Sequence, residues 1–312
     1  MRDLIILLMG EWPSRRSAKP ATSAIGYNQM SENRIVELCG ISRARSREDF
    51  ERAIRERICP FARGKCSNAK KSNRDSAPEI CSVRYRKNDV IVCPKRFLER
   101  NQIFIDCLYL FSSREPSDEL YLVPDVKTPG GTVDYFLIAA RNGKIVDFLG
   151  IDLRTIDAKG SLCRERRSFL EERGLPNDER ELGGSESSFG LKWKTTLKKI
   201  LVQLHRKGET FEKLNKRLVL VVQKPLYKRM KRILQSESVE GVRIDDPIQI
   251  HSYDFAETES GTRLKWDDRI SATSDDIARC LKLSEQNKQS LDELLSFVKR
   301  ELTDERRLDI TR

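Results

Sequence analysis

The arrangement of apolar and polar positions is clearest in the middle of the chain. One apolar run covers residues 133–140, Asn142-Gly143 follows, and a second apolar run covers residues 145–153. Two apolar runs joined by Asn-Gly predict a β-hairpin. A further run at 217–222 has no polar alternation, which predicts a strand buried on both faces.

Helical spacing and turn residues predict the elements around these strands. Apolar positions three and four apart indicate helices, and Gly208 is expected to end the longest of them. We expect helices at 31–38, 46–57, 192–207, 225–234, 274–283 and 290–302, a further strand at 245–255, and a polar loop at 164–188.

Acidic residues interrupt the hairpin where apolar residues are expected. Asp134 lies in the first strand, and Asp152 and Arg154 lie two apart in the second, so this pair shares a face. Two carboxylates on rigid strands can bind Mg²⁺, which activates water and neutralises charge on a phosphate. The alternative interpretation is a pair of exposed aspartates on edge strands.

The register of the hairpin tests the shared site. A two-residue turn at Asn142-Gly143 pairs Asp134 with Ile151 and leaves Asp152 on the other face. A three-residue loop with a left-handed Gly143, or a bulge at Gly150, would bring the acids together. We expect one of these irregularities.

Length and charge narrow the class of protein. The 312 residues can form one large domain or two, and 59 Lys and Arg against 48 Asp and Glu give a net charge of +11. A pI near 9.3 favours a polyanionic partner. The apolar stretch at 4–9 is too short for a membrane span, which favours a cytoplasmic protein. Residues 1–29 differ in composition from the rest of the chain, and Met30 is an alternative start.

Four of the eight cysteines crowd into one segment, as Cys59-x6-Cys66-x14-Cys81-x11-Cys93. Four thiolates can hold one tetrahedral ion, commonly zinc or iron. The alternative is four buried cysteines without a ligand, since free cysteine is often buried. The two histidines, His205 and His251, are far apart in sequence and are interpreted as structural or surface residues.

Taken in order, these pieces resemble the NotI-type restriction endonucleases, a family that includes EagI. The matching segments are Cys59-Pro60-Phe61, Cys66, Cys81-Ser82-Val83, Val92-Cys93-Pro94-Lys95-Arg96, Asp134-Tyr135, Asp152-Leu153-Arg154-Thr155-Ile156-Asp157, Gly160-Ser161, and Gly190 with Trp193. The resemblance implies an α/β fold with a PD-(D/E)XK nuclease core, a mixed β-sheet flanked by helices, and an N-terminal four-cysteine metal-binding region.

The resemblance also implies roles for single residues. The four crowded cysteines map to iron ligands, Asp134 to the first metal-binding acid, Asp152 to the family's glutamate, and Arg154 to its glutamine. Aspartate shortens the ligand by one methylene group. Arginine cannot act as a base, because it does not lose its proton, but it can stabilise charge on a phosphate.

The expected function is therefore that of a type II restriction endonuclease. It would cleave double-stranded DNA at a palindromic site with Mg²⁺, as a homodimer, beside a companion DNA methyltransferase. We expect an N-terminal extension at 1–29, the basic cysteine region at 30–120, and the nuclease core at 121–312. An inactive, metal-containing DNA-binding protein derived from such a nuclease is the main alternative, and an RNA-binding zinc protein ranks last because its aromatic-rich strand motif is missing.

Overall fold

The computed structural model describes residues 34–62, 64–66, 79–159, 162–176, 190–236, 242–258 and 261–283. Its strands, in chain order, are β1 Arg34–Leu38, β2 Ile41–Ser42, β3 Ile80–Tyr85, β4 Asn88–Ile91, β5 Glu119–Thr128, β6 Gly131–Arg141, β7 Lys144–Arg154, β8 Ala158–Lys159, β9 Gly190–Leu191, β10 Arg217–Gln223, β11 Ile248–Thr258 and β12 Gly261–Ala272. Its α-helices are α1 Arg47–Glu56, α2 Gln102–Ile105, α3 Leu162–Glu172, α4 Trp193–Lys213, α5 Lys224–Ser236 and α6 Ser274–Cys280. Short 3-10 turns cover Pro94–Asn101 and Leu108–Leu110.

A six-stranded mixed sheet forms the centre of the described chain. Its strand order is β12-β11-β10-β7-β6-β5. Strands β7, β10 and β11 run parallel, and antiparallel hairpins extend the sheet at both edges. The predicted mixed α/β class is thus confirmed.

The central strand β10 is buried on both faces, as its unbroken apolar run predicted. Leu218 and Leu220 belong to the cluster formed with helix α4, whereas Val219 and Val221 pack with Phe97 on the opposite face. Because both faces are covered, the strands beside β10 lie in a rigid setting.

A second sheet, of strand order β2-β1-β3-β4, lies N-terminal to the first. Part of the predicted helix at 31–38 is instead strand β1, which pairs with β2 and β3. Register shifts on both sides of Glu37 bring Ile35 and Leu38 into the core together. A bulged strand therefore imitates the three-residue spacing of a helix.

The predicted helices are partly confirmed. Helix α1 begins after Ser46, whose side chain caps it by accepting from the Asp49 amide. Helix α4 continues past Gly208 to Lys213, so the predicted stop was wrong. A Cβ at Gly208 would lie 2.5 Å from Ile248, so glycine serves close packing here rather than chain termination.

Three more differences concern the second half of the chain. Helix α3 occupies part of the expected loop at 164–188, and the long strand β12 was not predicted. The expected helix at 290–302 lies outside the described residues. No helix in the described ranges is long and apolar enough to cross a bilayer.

Candidate active site and cysteine region

The β6–β7 hairpin has the irregularity that the acid pair needs, but at a different position. Its loop keeps two residues, Asn142 and Gly143, both left-handed with φ of 51° and 73°. A register shift lies between Ala139 and Ala140, so that Tyr135 pairs with Ile151. The shift places Asp134 beside Asp152.

The predicted bulge at Gly150 is absent, and the glycine there serves close packing instead. A Cβ on Gly150 would collide with the ring of Phe211. Glycine at this position lets helix α4 approach the sheet on the face that carries Asp152. The expected three-residue loop is likewise replaced by a tight turn.

The two aspartates are linked through backbone amides and through Arg154. The Asp134 amide donates to Asp152 Oδ1 at 3.1 Å, and the Leu153 amide donates to Asp134 Oδ2 at 2.8 Å. The Arg154 guanidinium donates to Asp134 Oδ2 at 2.9 Å and to Asp152 Oδ2 at 3.1 Å. The structure therefore brings together all three residues that the sequence singled out on the hairpin.

A fourth charged residue, Lys207 on helix α4, was not identified from the sequence. Its Nζ donates to Asp152 Oδ2 at 2.5 Å, and both side chains are only 3 % exposed. Lys207 continues the buried stripe of Ile200 and Leu204, where an apolar residue is expected. This break in the apolar pattern was a usable signal, since the expected helix at 192–207 already included Lys207.

The β5–β6 turn packs against the backbone of helix α4 at Lys207. A Cβ on Gly130 would lie 2.5 Å from the Arg206 carbonyl oxygen and 2.7 Å from Lys207 Cα. Gly131, with φ of 124°, lies close to Lys207 Cε. The glycines thus permit the close approach that fixes the lysine beside Asp152.

Burial and charge act in opposite directions on Asp134. Its burial raises the pKa of the carboxyl group above the ordinary value, and the guanidinium of Arg154 lowers it. The effect of burial is the larger, and the negative charge of Asp152 adds to it. Asp134 therefore depends on nearby positive charge to stay ionised.

The four crowded cysteines come from three short segments that lie together. Backbone bonds from Cys66 N to the Arg57 carbonyl and from Cys93 N to the Cys81 carbonyl hold these segments. The pKa of the Cys93 thiol is raised to about 11, mainly by burial and in smaller part by the neighbouring Cys66 and Cys59. Burial also raises the pKa of Cys81, with Cys93 as the next contributor.

Backbone amides point at the sulfur atoms. The Gly40 amide donates to Cys81 Sγ at 3.2 Å, and the amides of Lys95 and Arg96 bond to Cys93. Such bonds stabilise a thiolate over a thiol. The chemistry of the four sulfur donors therefore suits zinc or iron.

No disulfide joins these four cysteines in the structure. Among the described residues, no group of three or more His, Cys, Asp or Glu side chains is arranged to hold a metal ion. The structure therefore does not show the metal-binding part of the predicted fold. The prediction of a metal site rests on the chemistry of the four thiol donors and not on their geometry.

A buried arginine attaches the cysteine region to the main sheet. Arg96 is 1 % exposed and forms a bidentate ion pair with Glu37 of strand β1, with a shortest distance of 2.9 Å. It also bonds to Glu99 and to the Thr262 carbonyl on strand β12. Its guanidinium lies over the rings of Phe61 and Phe255, at 4.6 and 5.1 Å from their centroids.

Several arginines of the basic segment around helix α1 form ion pairs within the protein. Arg47 pairs with Glu51, and Arg52 pairs with Asp49. Arg43 and Arg57 reach Glu172 and Glu79 in the same way. Ion pairs thus occupy four arginines of this segment.

Two strand-borne carboxylates bordered by two cations, in a basic α/β protein, form a site suited to phosphate chemistry. The family described as Restriction endonuclease NotI matches residues 40–265. This is most of the chain, and the chain belongs to the NotI restriction endonuclease family. Such membership supports a nuclease that acts on specific sites in DNA. No curated protein matches the chain.

Proposed function

We propose that this chain is a Mg²⁺-dependent type II restriction endonuclease that hydrolyses double-stranded DNA at a palindromic site. The observation that carries the proposal is the acid pair, in which Asp134 and Asp152 lie on adjacent strands and share Arg154. Family membership supplies the substrate class, and the net charge of +11 agrees with a polyanion.

Carboxylate oxygens are the ligands that Mg²⁺ prefers, so the donors at this site fit the ion. Bound there, Mg²⁺ would lower the pKa of water and offset charge on the phosphate. Asp134 and Asp152 would hold it, and the rigid strands would keep the geometry. The water oxygen would bond to phosphorus and give up a proton to solvent, the bond to the 3′ oxygen would break, and that oxygen would take a proton from solvent. The products carry 5′-phosphate and 3′-hydroxyl ends.

Arg154 contributes charge rather than proton transfer. Its side chain is 22 % exposed, so the guanidinium can reach a phosphate while its stem stays on strand β7. Because arginine keeps its proton, it can stabilise the negative charge that develops on phosphate oxygens. Arg154 therefore cannot be the base that takes a proton from water.

The cysteine region is proposed to hold one structural iron or zinc ion through Cys59, Cys66, Cys81 and Cys93. The ion would order loops that are short of regular structure, as in other thiolate sites. Two copies of the chain related by a twofold axis would cut both strands of a palindrome. A companion DNA methyltransferase would protect the host DNA.

The proposal is tested by incubating purified protein with phage DNA and Mg²⁺. We expect discrete fragments that disappear with EDTA and in Asp152→Asn, with a loss of about a hundredfold to a thousandfold in cleavage rate, as for other groups acting on transition-state charge. Asp275→Asn is the matched control, because Asp275 is an exposed residue of helix α6.

The same experiment separates the enzyme from the inactive binder. Intact DNA that shifts in a gel with wild-type protein and Mg²⁺ would support a DNA-binding protein without nuclease activity. Fragments that persist in Asp152→Asn would place the chemistry elsewhere in the chain.

A further inference from the structure

The acid pair is electrically balanced by the protein itself. Asp134 and Asp152 carry two negative charges, and Arg154 and Lys207 carry two positive charges at bonding distance. Asp152 Oδ2 accepts from both cations, and Asp152 Oδ1 accepts from the Asp134 amide. Each oxygen of Asp152 therefore already has a donor.

A divalent cation placed between these carboxylates would meet two like charges. Coulomb repulsion at such short range is strong, and it is strongest where the groups are buried. Lys207 and Asp152 are each 3 % exposed, so little solvent screens them. In the free protein, divalent-ion binding at this site is opposed.

The two cations differ in their freedom to move. Lys207 is buried, and the Gly130–Gly131 turn packs against its backbone and its Cε. Arg154 is more exposed, at 22 %, and its long side chain can leave the carboxylates for a phosphate. A DNA strand supplies phosphates, and each one adds a negative charge next to the site.

We propose that Lys207 is a positioning residue that, together with Arg154, keeps the acid pair closed to divalent cations until a DNA phosphate draws Arg154 away. Lys207 remains on Asp152 Oδ2 and orients the carboxylate. DNA and divalent cation then bind cooperatively, each raising the affinity for the other by the same factor. This inference rests on the proposed function, since it assumes that the acid pair is the metal site.

The test measures Ca²⁺ binding to the full chain by titration calorimetry, with and without a phage DNA fragment. The matching Asp152→Asn protein is titrated in each case, and the difference reports the acid pair. For wild-type protein we expect affinity to rise about tenfold or more with DNA, a common size for coupling between sites. Lys213→Met, at an exposed lysine of the same helix, is expected to behave as wild type.

The variants assign the effect to each cation. Arg154→Met should bind Ca²⁺ about tenfold more tightly without DNA and lose most of the dependence on DNA, a coupling of ordinary size. Lys207→Met should also bind more tightly without DNA, but it should keep the dependence, because Arg154 is still present. Lys207→Arg retains the charge and should restore the wild-type affinity.

Equal Ca²⁺ affinities in wild type and Arg154→Met, or a wild-type affinity that DNA does not change, would overturn the inference. Arg154 is partly exposed, so its variant remains informative if Lys207→Met does not fold. The quantity measured in these titrations is Ca²⁺ affinity and not DNA cleavage. Failure of the nuclease activity alone would therefore leave the Ca²⁺ result readable, and the two proposals can fail separately.

Discussion

The carboxylate site and the cysteine region differ in what holds their reactive groups. Asp134 and Asp152 sit on two strands of a sheet covered on both faces, and four charged side chains meet there within 3.1 Å. Cys81 lies at the start of strand β3, and the other three crowded cysteines lie outside the regular helices and strands. Among the described residues, the cysteines do not form an arrangement that would hold a metal ion. Hydrogen bonds and ion pairs within the protein fix the geometry of the carboxylate site. The geometry of the cysteine region would instead be defined by a bound metal ion.

The difference shows how much each site depends on its ligand. A strand-borne site is positioned by the fold and only has to exchange one cation for another. A site on turns gains its order from the metal, because binding free energy becomes folding free energy. Loss of the proposed structural ion should therefore destabilise the cysteine region far more than the carboxylate site.

The largest effect is expected from Cys81→Ser. Structural zinc sites contribute about 10 kcal/mol or more of apparent binding free energy, so removal of one thiolate should release the metal and lower the melting temperature sharply. Metal content per chain and a thermal melt measure the two effects. Cys107→Ser, at a buried cysteine outside the set, should keep the metal. A wild-type protein without iron or zinc would contradict the prediction.

A smaller loss is expected where the two regions are joined. Arg96→Met leaves Glu37 buried without its partner, and breaking a buried ion pair from one side costs about 3–5 kcal/mol. The free energy of unfolding in urea measures this cost. Arg84→Met, at an exposed pair with Asp89, should cost about 1 kcal/mol or less. Similar losses in both variants would show that the Arg96 network does not link the regions.

At the carboxylate site, Gly130→Ala should act through packing. The added Cβ would meet the Arg206 carbonyl oxygen at 2.5 Å, and relief of such crowding costs about 1–3 kcal/mol. The β5–β6 turn would shift away from Lys207, so the rate of DNA cleavage should fall by more than the loss of folding stability alone would cause. Gly190→Ala, where a Cβ meets nothing within 4 Å, is the control. Unchanged cleavage by the Gly130 variant would separate the turn from the site.

The smallest effect concerns the sheet that carries the carboxylates. Burial lowers the pKa of His251 on strand β11 from 6.5 to about 3. Between pH 6.5 and about 3, the folded protein therefore binds fewer protons than the unfolded chain. Stability is lost as the pH falls below 6.5. One such group changes the free energy of unfolding by about 1.4 kcal/mol per pH unit. Unfolding free energies at pH 7, 6 and 5, compared with His251→Gln, measure its share. An equal slope in the variant would assign the acid sensitivity to other groups.

Residue patterns predicted much of the sheet because their causes are local. Asn142-Gly143 accepts the left-handed backbone of a tight turn, and the unbroken apolar run of strand β10 reflects burial on both faces. The acids of the hairpin stood out because carboxylates interrupt apolar strands. The cysteine spacing was equally visible, but spacing carries no information on the angles between thiols.

Long-range packing accounts for the errors. Strand β1 looked helical because bulges around Glu37 bring Ile35 and Leu38 to one side. Gly208 looked like a helix end, but it lies inside helix α4 where strand β11 comes close. In each case the neighbour that decides the conformation lies far away in sequence.

The amino-acid sequence by itself determined the hairpin, the strand-borne acids, the basic character and the family resemblance, since each depends on residue type and short spacing. The tertiary structure alone decided that a bulge near the turn aligns Asp134 with Asp152, and that Lys207 reaches them from helix α4. The physical reason is that register and helix docking depend on close packing between segments that are distant in the chain, and packing of this kind leaves no short-range pattern.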